Sequence, residues 1–435
     1  MLISSTIGII ADDLTGANDT ALQFHLRGCN TQIILDYQSL PDSKSHTQAW
    51  ALSTESRNTD SETAKTKVKI ATKNLLENFN IEHFYKKIDS TIRGNIAPEV
   101  IGMLEVLEWD AAIIMPAFPN EGRTTVGGYH LLKGIPIERT EMARDPHSPI
   151  YESHIPTLLK KQLEDPKEKE LVALIELETV MKGAGPILMK LNQLISEGKK
   201  LIVVDAVSTT DIEQVILATG KSHHNILPCG SAGAAQALGN AWLPEKKYQH
   251  IIKTIPELPK LIISGSSTEL TASQLKKLAD DDDIDNTYFI EIKMPDVLQG
   301  NNPEIIERAI RNLNKNNIVV IHSSNLIDNP EQLSDILFEN ELTKTKFASM
   351  IGDYLASITR QIITEKEVIL ITVGGETSYK CCKAIESGNI QLIDEVAPAI
   401  PLCIDHKAQW IVTKSGNLGH PNTLIEVIKY FEQHK

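Results

Sequence analysis

The sequence predicts an α/β protein built as two α/β domains, each with a mostly parallel sheet flanked by helices. Three observations carry that expectation. Short β-branched, apolar runs alternate with segments whose apolar residues recur every three or four positions. The alternation stops at a proline-marked stretch, residues 244–260, and then restarts. The chain has 435 residues, 41% hydrophobic and 23% charged, which suffices for two buried cores.

Bulk charge narrows the partners. A formal net charge of -14 and a pI near 5.4 argue against nucleic acid or an anionic membrane, because nothing offsets phosphate repulsion globally. An anionic substrate must then be met by a local cluster of Lys and Arg. Five cysteines, at positions 29, 229, 381, 382 and 403, are odd in number and lack metal-ligand spacing. They read as free thiols in a reducing compartment. No run approaches the roughly 18 apolar residues of a membrane span, and no basic segment followed by a long apolar core opens the chain. The expected location is the cytoplasm; a homo-oligomer is compatible with the sequence.

In chain order, Thr6 to Ala11 reads as a strand buried on both faces and ending at Asp12 and Asp13. Further strands are expected at Thr31–Leu35, Ala49–Ser53, Phe84–Ile88, Ala111–Ala117, Leu171–Leu177 and Leu201–Val207, with helical patterns such as Ser61–Asn78 and Gly185–Glu197 between them. Residues 118–156 hold Gly122, Gly127, Gly128 and Gly134 and five prolines, which predicts hairpins and an ordered loop. The first domain is expected over 1–243, a linker over 244–260 and the second domain over 261–435. There, strands are expected at Leu261–Ser264, Tyr288–Ile292, Ile318–His322, Val368–Val373 and Trp410–Thr413. Asn302–Asn314 reads as a helix and Glu331–Thr364 as two.

Several strand ends carry chemistry. Asp12 and Asp13 fall where open α/β sheets place ligands, and Thr15, Gly16 and Ala17 let the next helix start close to a bound molecule. The same residues also suit an ordinary helix cap, with Asp13 or Thr15 satisfying backbone donors. Tyr85 to Asn95 repeats the design: a strand, then charged and hydroxyl groups, then a helix eased in by Gly94 and Pro98. Lys87, Arg93 and Arg57 are suited to a carboxylate, and Ser90 and Thr91 to hydroxyls. The loop from Pro116 to His130, with Ala143 to Pro146, adds basic and hydroxyl groups as a side wall. His130 and His147 are left as structural hydrogen-bonders.

In the second domain, Ser264-Gly265-Ser266-Ser267, Val373-Gly374-Gly375-Glu376-Thr377-Ser378 and Lys414-Ser415-Gly416-Asn417-Leu418-Gly419 each follow an expected strand. Glycines there let the backbone approach a phosphate, and the helix N-terminus supplies donors. Three such turns in one domain fit a nucleotide pocket. The common nucleotide motifs are missing: Gly220-Lys221-Ser222 ends like a P-loop, but Val215 takes the first glycine's place, and no Gly-x-Gly-x-x-Gly exists. His-Glu-x-x-His and paired Cys-x-x-Cys zinc patterns are absent too.

Five motifs, in order across both halves, resemble the four-carbon acid sugar kinase family. They are Ala11 to Ala17, Lys87 to Asn95, Pro116 to Pro119 with Gly122 to Thr124, Gly374 to Ser378, and Lys414 to Gly416. The resemblance implies an N-terminal domain for the sugar acid, a C-terminal domain for ATP, and phosphorylation of the C4 hydroxyl. Within the family, the Arg93 form with Gly127-Gly128-Tyr129-His130 is more similar to the D-threonate and D-erythronate kinases than to the 3-oxo-tetronate kinases. The implied substrate contacts are Asp12, Arg57, Lys87, Ile88, Asp89, Ser90 and Arg93. The implied ATP contacts are Ser264, Ser266, Gly374, Gly375, Glu376, Thr377 and Gly416. Leu418 stands where the family carries Phe, and Glu376 where many relatives have Asp.

The expected mechanism has Arg57 and Lys87 holding the carboxylate and hydroxyls of the sugar acid, and Asp12 accepting the C4 hydroxyl proton. Mg²⁺ is expected to bridge the ATP phosphates, with no protein ligand assigned. Asp13 and Asp89 remain open as alternative bases. A 3-oxo-tetronate kinase, a non-catalytic sugar-acid sensor and a sugar-acid dehydrogenase are the competing readings, the last disfavoured by the missing dinucleotide fingerprint.

Overall fold

The computed structural model describes residues 6–38, 40–41, 47–144, 148–243, 255–284, 286–300, 302–315, 317–324 and 337–434. Asp145, Pro146 and His147, residues 244–254 of the expected linker, and residues 331–336 of the expected helical run lie outside these. The chain divides into two compact units, Met1–Tyr248 and Gln249–Lys435.

Eight parallel strands form the sheet of the first unit. In chain order the unit's strands, of both sheets, are β1 (Ile7–Ala11), β2 (Thr31–Ile34), β3 (Ala49–Ser53), β4 (His83–Lys87), β5 (Ala111–Met115), β6 (Arg123–Val126), β7 (Tyr129–Leu132), β8 (Ile135–Pro136), β9 (Val172–Ile175), β10 (Leu201–Val204) and β11 (Ile226–Gly230). The spatial order is β2-β3-β1-β4-β11-β5-β10-β9, while β6, β7 and β8 make a separate antiparallel sheet. All five residues of β1 are buried, as expected of a strand covered by helices on both faces. Each fully buried Ile or Leu in this core contributes about 1.5–3 kcal/mol. Ala11 lies level with Ser53 on one side and Lys87 on the other, so three strand ends open at one height.

Several strand expectations change: the expected Ala111–Ala117 stops at Met115 and Leu201–Val207 at Val204. The expected strand over Leu171–Leu177 ends at Ile175, because the Leu177 N–H turns to the Asp205 carboxylate at 2.9 Å and starts a helical turn. Strand β11 is absent from the expected set: Pro228 argues against a central strand, yet β11 sits between β4 and β5. It is tolerated because pairing with β4 is confined to Cys229 and Gly230, beyond the proline.

The second unit has β12 (Lys260–Ser264), β13 (Thr287–Glu291), β14 (Ile318–His322), β15 (Ile369–Val373), β16 (Asn389–Ala397), β17 (Ile400–Asp405) and β18 (Trp410–Lys414), in the order β13-β14-β12-β15-β18-β17-β16. The first five run parallel and the last three are joined antiparallel. The hairpin β16–β17 is not among the expected strands; the alternating buried and half-buried residues of β16 are those of a strand with one wetter face. Helix Lys344–Glu365 runs unbroken for 22 residues. All five cysteines are free and buried, and burial pushes the Cys229 and Cys381 thiols up to about 12. Among the described residues no helix is long and apolar enough to cross a membrane.

Candidate active site

The first cluster is built where β1, β3 and β4 end together. Past β3, the chain folds back across β1: Thr54 N–H donates to Ala11 O at 3.0 Å, and Ser56 N–H to Asp12 O at 2.9 Å. That path delivers Arg57 to the acid pair. Its Nε donates to Asp12 Oδ2 at 2.7 Å and its Nη2 to Asp12 Oδ1 at 3.1 Å, while Nη1 lies 2.5 Å from Asp13 Oδ2. Two parallel bonds to one carboxylate are the strongest geometry an arginine offers. Burial pushes the Asp12 carboxyl up, but Arg57, Lys86 and Lys87 more than offset it and hold it below the ordinary carboxylate range. Asp13 caps helix α1 (Leu14–His25), accepting from Gly16 N–H at 2.7 Å, and burial with Asp12 alongside raises its carboxyl.

Beyond β4, Asp89 is gripped by Arg93 through Nε at 2.7 Å and Nη2 at 3.2 Å, and it also accepts from the Thr91 hydroxyl. Burial works against the Asp89 charge, yet Arg93 and Arg57 keep its carboxyl well below the usual range. The turn that achieves this holds Ile92 at φ 59°, a left-handed conformation costly for a β-branched residue. Gly94 follows at φ 88°, where a Cβ would stand 3.3 Å from Asp12 Oδ2 and 3.2 Å from Arg57 Cγ. Asn95 ties the two loops together, donating to Ser56 O at 3.1 Å and Thr59 O at 2.8 Å.

Ile88 is buried with its N–H on Gly230 O at 2.9 Å, so its contribution is backbone position. The half-buried Ser90 accepts at its carbonyl from buried His130 Nε2 at 2.8 Å, and His130 Nδ1 meets the Thr125 hydroxyl at 3.1 Å. His130 is thus a structural hydrogen-bonder, with burial pushing its imidazole down to about 4. Behind the strand ends, Lys86 Nζ pairs with Glu99 at 2.8 Å, and Glu99 accepts from the Ser56 hydroxyl at 2.7 Å.

Sequence reading missed Glu55. Held at φ 45°, it accepts from Leu14 N–H at 2.8 Å and from the Ser53 hydroxyl at 2.6 Å, and burial beside Asp13 lifts its carboxyl to about 7. Its positive φ leaves no mark on composition.

The second cluster lies at the carboxyl ends of β12, β15 and β18. A Cβ on Gly265 would come 2.3 Å from Thr377 Oγ1, and one on Gly416 would come 2.2 Å from Ser266 Oγ. These turns therefore pack backbone against hydroxyl with no room for a side chain. Gly416 O accepts from the Thr268 and Thr271 hydroxyls, each at 3.0 Å. Gly374, at φ 114°, opens the helix Gly375–Ala384 with no side-chain cap, leaving its first N–H groups for a ligand. Glu376 turns its carboxylate to Lys380 at 3.0 Å. Ser264 Oγ is buried without a hydrogen-bond partner among the described residues. Lys414 is buried with its Nζ on Ser415 O at 2.8 Å, and burial pushes its ammonium down to about 8. An uncapped helix start, an orphan hydroxyl and a buried cation together fit a phosphate chain.

A family described as "Sugar-binding N-terminal domain" matches residues 7–238, and one described as "Nucleotide-binding C-terminal domain" matches residues 261–424. The chain is 30% identical to D-erythronate kinase of Heliobacterium modesticaldum, over 98% of this chain and 97% of that one. It is 28% identical to D-threonate kinase of Salmonella typhimurium, over 98% of each, and 25% identical to 3-oxo-tetronate kinase of Brucella melitensis, over 98% and 96%. A crystal structure of a Haemophilus influenzae protein shares the fold with a TM-score of 0.73 at 24% identity, covering 98% of this chain and 100% of that one. With both halves matched and full-length relatives at this level, the chain belongs to the four-carbon acid sugar kinase family.

Proposed function

We propose that the protein transfers the γ-phosphoryl group of ATP to the C4 hydroxyl of a four-carbon sugar acid, D-erythronate or D-threonate. The observation that carries this reading is the acid and base cluster at the level ends of β1, β3 and β4, in a chain 30% identical to a D-erythronate kinase along nearly its whole length. The 3-oxo-tetronate kinases are more distant, at 25%. The resemblance of the Arg93 motif to the D-threonate and D-erythronate kinases supports the first two acids as well.

Phosphoryl transfer asks chiefly for position and charge neutralisation. Asp12, ionised at neutral pH and aimed by Arg57, orients the C4 hydroxyl and takes its proton as the oxygen becomes acidic. Ser90 and Lys87 hold the sugar acid beside it, with Ile88, Asp89 and Arg93 fixing that wall. Ser264, Ser266, Gly374 to Thr377 and Gly416 hold ATP, whose role is to supply the phosphoryl group. Lys414 is the cation on that side. Among the described residues no group of three or more His, Cys, Asp or Glu is set out for a metal ion. Mg²⁺ would come with the nucleotide phosphates, as it commonly does in kinases, and would neutralise their charge. The free thiols support a cytoplasmic setting.

ADP release with Mg-ATP against D-erythronate, D-threonate, their L forms and 3-oxo-tetronates tests the proposal. Turnover is expected with one of the first two. No ADP with any four-carbon acid overturns it.

A further inference from the structure

At the end of β10 one side chain gathers backbone donors from two segments. Asp205 is fully buried, and its Oδ2 accepts from Gly127 N–H at 2.6 Å and from Leu177 N–H at 2.9 Å. Its Oδ1 accepts from Gly128 N–H at 2.8 Å. Gly127 and Gly128 are the whole loop between β6 and β7, at φ 58° and 77°, the left-handed pair that a two-residue hairpin turn favours. A Cβ on Gly128 would come 2.9 Å from His154 Nε2, so the turn sits close against its surroundings. Beside it, Thr125 N–H donates to Ala206 O at 2.9 Å and Ala206 N–H to Thr125 O at 3.0 Å, which fastens β6 to the residue after Asp205.

That clasp sets the place of β7, and β7 carries His130. Thr125 and His130 face each other across the hairpin, and His130 is fully buried. Its Nε2 lies 2.8 Å from Ser90 O. A carbonyl only accepts, so Nε2 carries the hydrogen and Nδ1 accepts from the Thr125 hydroxyl at 3.1 Å. Tying the Ser90 carbonyl fixes the peptide plane between Ser90 and Thr91, at the start of the turn that holds Ile92 at φ 59° and Gly94 at φ 88°. A left-handed isoleucine persists only where its surroundings over-determine it, and this bond is one of the ties that do so. The grip of Arg93 on Asp89 is another. A continuous run of contacts therefore joins Asp205 to Ser90 through the hairpin.

We infer that Asp205 is a positioning residue for the sugar-acid side: it clasps the Gly127–Gly128 turn, the clasp seats His130, and His130 holds Ser90 in place. This rests on the sugar-acid reading above and deepens it. Asp205 lies in none of the motifs that carry the family resemblance. An acid suits the task because an ionised carboxyl accepts on both oxygens, whereas asparagine offers one acceptor and turns an NH₂ group toward a donor.

The test uses the full chain with Asp205→Asn, His130→Leu and the double variant. Hydrogen exchange is read by mass spectrometry without ligand. Asp205→Asn is expected to speed exchange in residues 123–132 and in 88–95, while His130→Leu speeds 88–95 and leaves the Gly127–Gly128 turn near wild type. Binding of D-erythronate and D-threonate is measured by calorimetry, and KM for acid and for ATP by ADP release. Each single variant is expected to weaken acid binding about tenfold, the upper end for one hydrogen bond, with KM for ATP within about twofold. The double variant is expected to lose no more than about twofold beyond the weaker-binding single one, because both act through one contact. Unchanged exchange in 88–95 in Asp205→Asn, or losses of acid binding that multiply in the double variant, overturns the inference. Equal weakening of acid and ATP, the mark of a merely structural role, overturns it too. Asp205→Glu keeps the charge and displaces the clasp by one methylene, and is read in the same way where Asp205→Asn does not fold. Failure of the sugar-acid reading is distinct: wild type then binds neither acid, and exchange in 88–95, read without ligand, still decides the clasp.

Discussion

Arg57 closes on Asp12 through two parallel hydrogen bonds, at 2.7 and 3.1 Å, while its remaining nitrogen reaches Asp13 at 2.5 Å. One guanidinium thus sets the orientation of both acids at the end of β1. Replacing Asp12 by Asn keeps the shape and removes the proton acceptor. Turnover should fall by at least about a hundredfold with ATP affinity retained. Single-turnover kinetics with nucleotide binding checks it, and near-normal turnover removes Asp12 from the role.

Two groups near the site pull stability in opposite directions with pH. Burial depresses His130 from 6.5 to about 4, so its contribution is full above 6.5 and is lost as pH falls through 4. Burial raises Glu55 from 4.5 to about 7, so its contribution is full below 4.5 and is lost as pH rises through 7. Between pH 7 and pH 5 the histidine loss amounts to roughly 2 kcal/mol. Scanning calorimetry should show His130→Gln losing less stability than wild type over that interval, and Glu55→Gln losing more. Identical pH slopes for all three proteins would refute the assignment.

At the phosphate cluster, an alanine methyl at position 416 would meet Ser266 Oγ at 2.2 Å, so the turn must shift. Gly416→Ala should raise KM for ATP about tenfold or more, the scale of one displaced hydrogen bond to a charged group. KM for the sugar acid should stay unchanged. A parallel rise in both constants, with loss of thermal stability, would point to misfolding instead.

The pair Lys86–Glu99, fully buried beneath the strand ends, is sensitive to breaking and tolerant of replacement as a unit. Glu99→Gln should cost about 3–5 kcal/mol by leaving the ammonium uncompensated, whereas Lys86→Met with Glu99→Leu should restore most of it. Urea unfolding of the single and double variants separates the two.

Much of this was legible in one sequence because strand ends and glycine turns have local signatures. Ile7 to Ala11 is an unbroken apolar run ending at acids, and Gly374-Gly375 marks its turn directly. The cap made by Asp13 is legible too, since an acid directly before a helical run suits the N-cap. Pairings were not legible: nothing local says that Arg57 is committed to Asp12, 45 positions away. Arg123 could be read only as one more basic group in a loop, since a contact as loose as its 3.7 Å ion pair to Glu121 has no local signature. Strand β11 was hidden by Pro228, whose penalty disappears once the pairing on one side is seen to begin after it.

The buried thiols have a use beyond structure. Cys29 and Cys229 report from the first unit, and Cys381, Cys382 and Cys403 from the second. A sulfur both shielded and held as the weakly nucleophilic thiol reacts with an alkylating reagent only when its surroundings open. Mass-resolved labelling over time therefore gives two clocks in one molecule. They time the opening of each half separately, and a ligand that slows one set and spares the other reveals which half it has clasped.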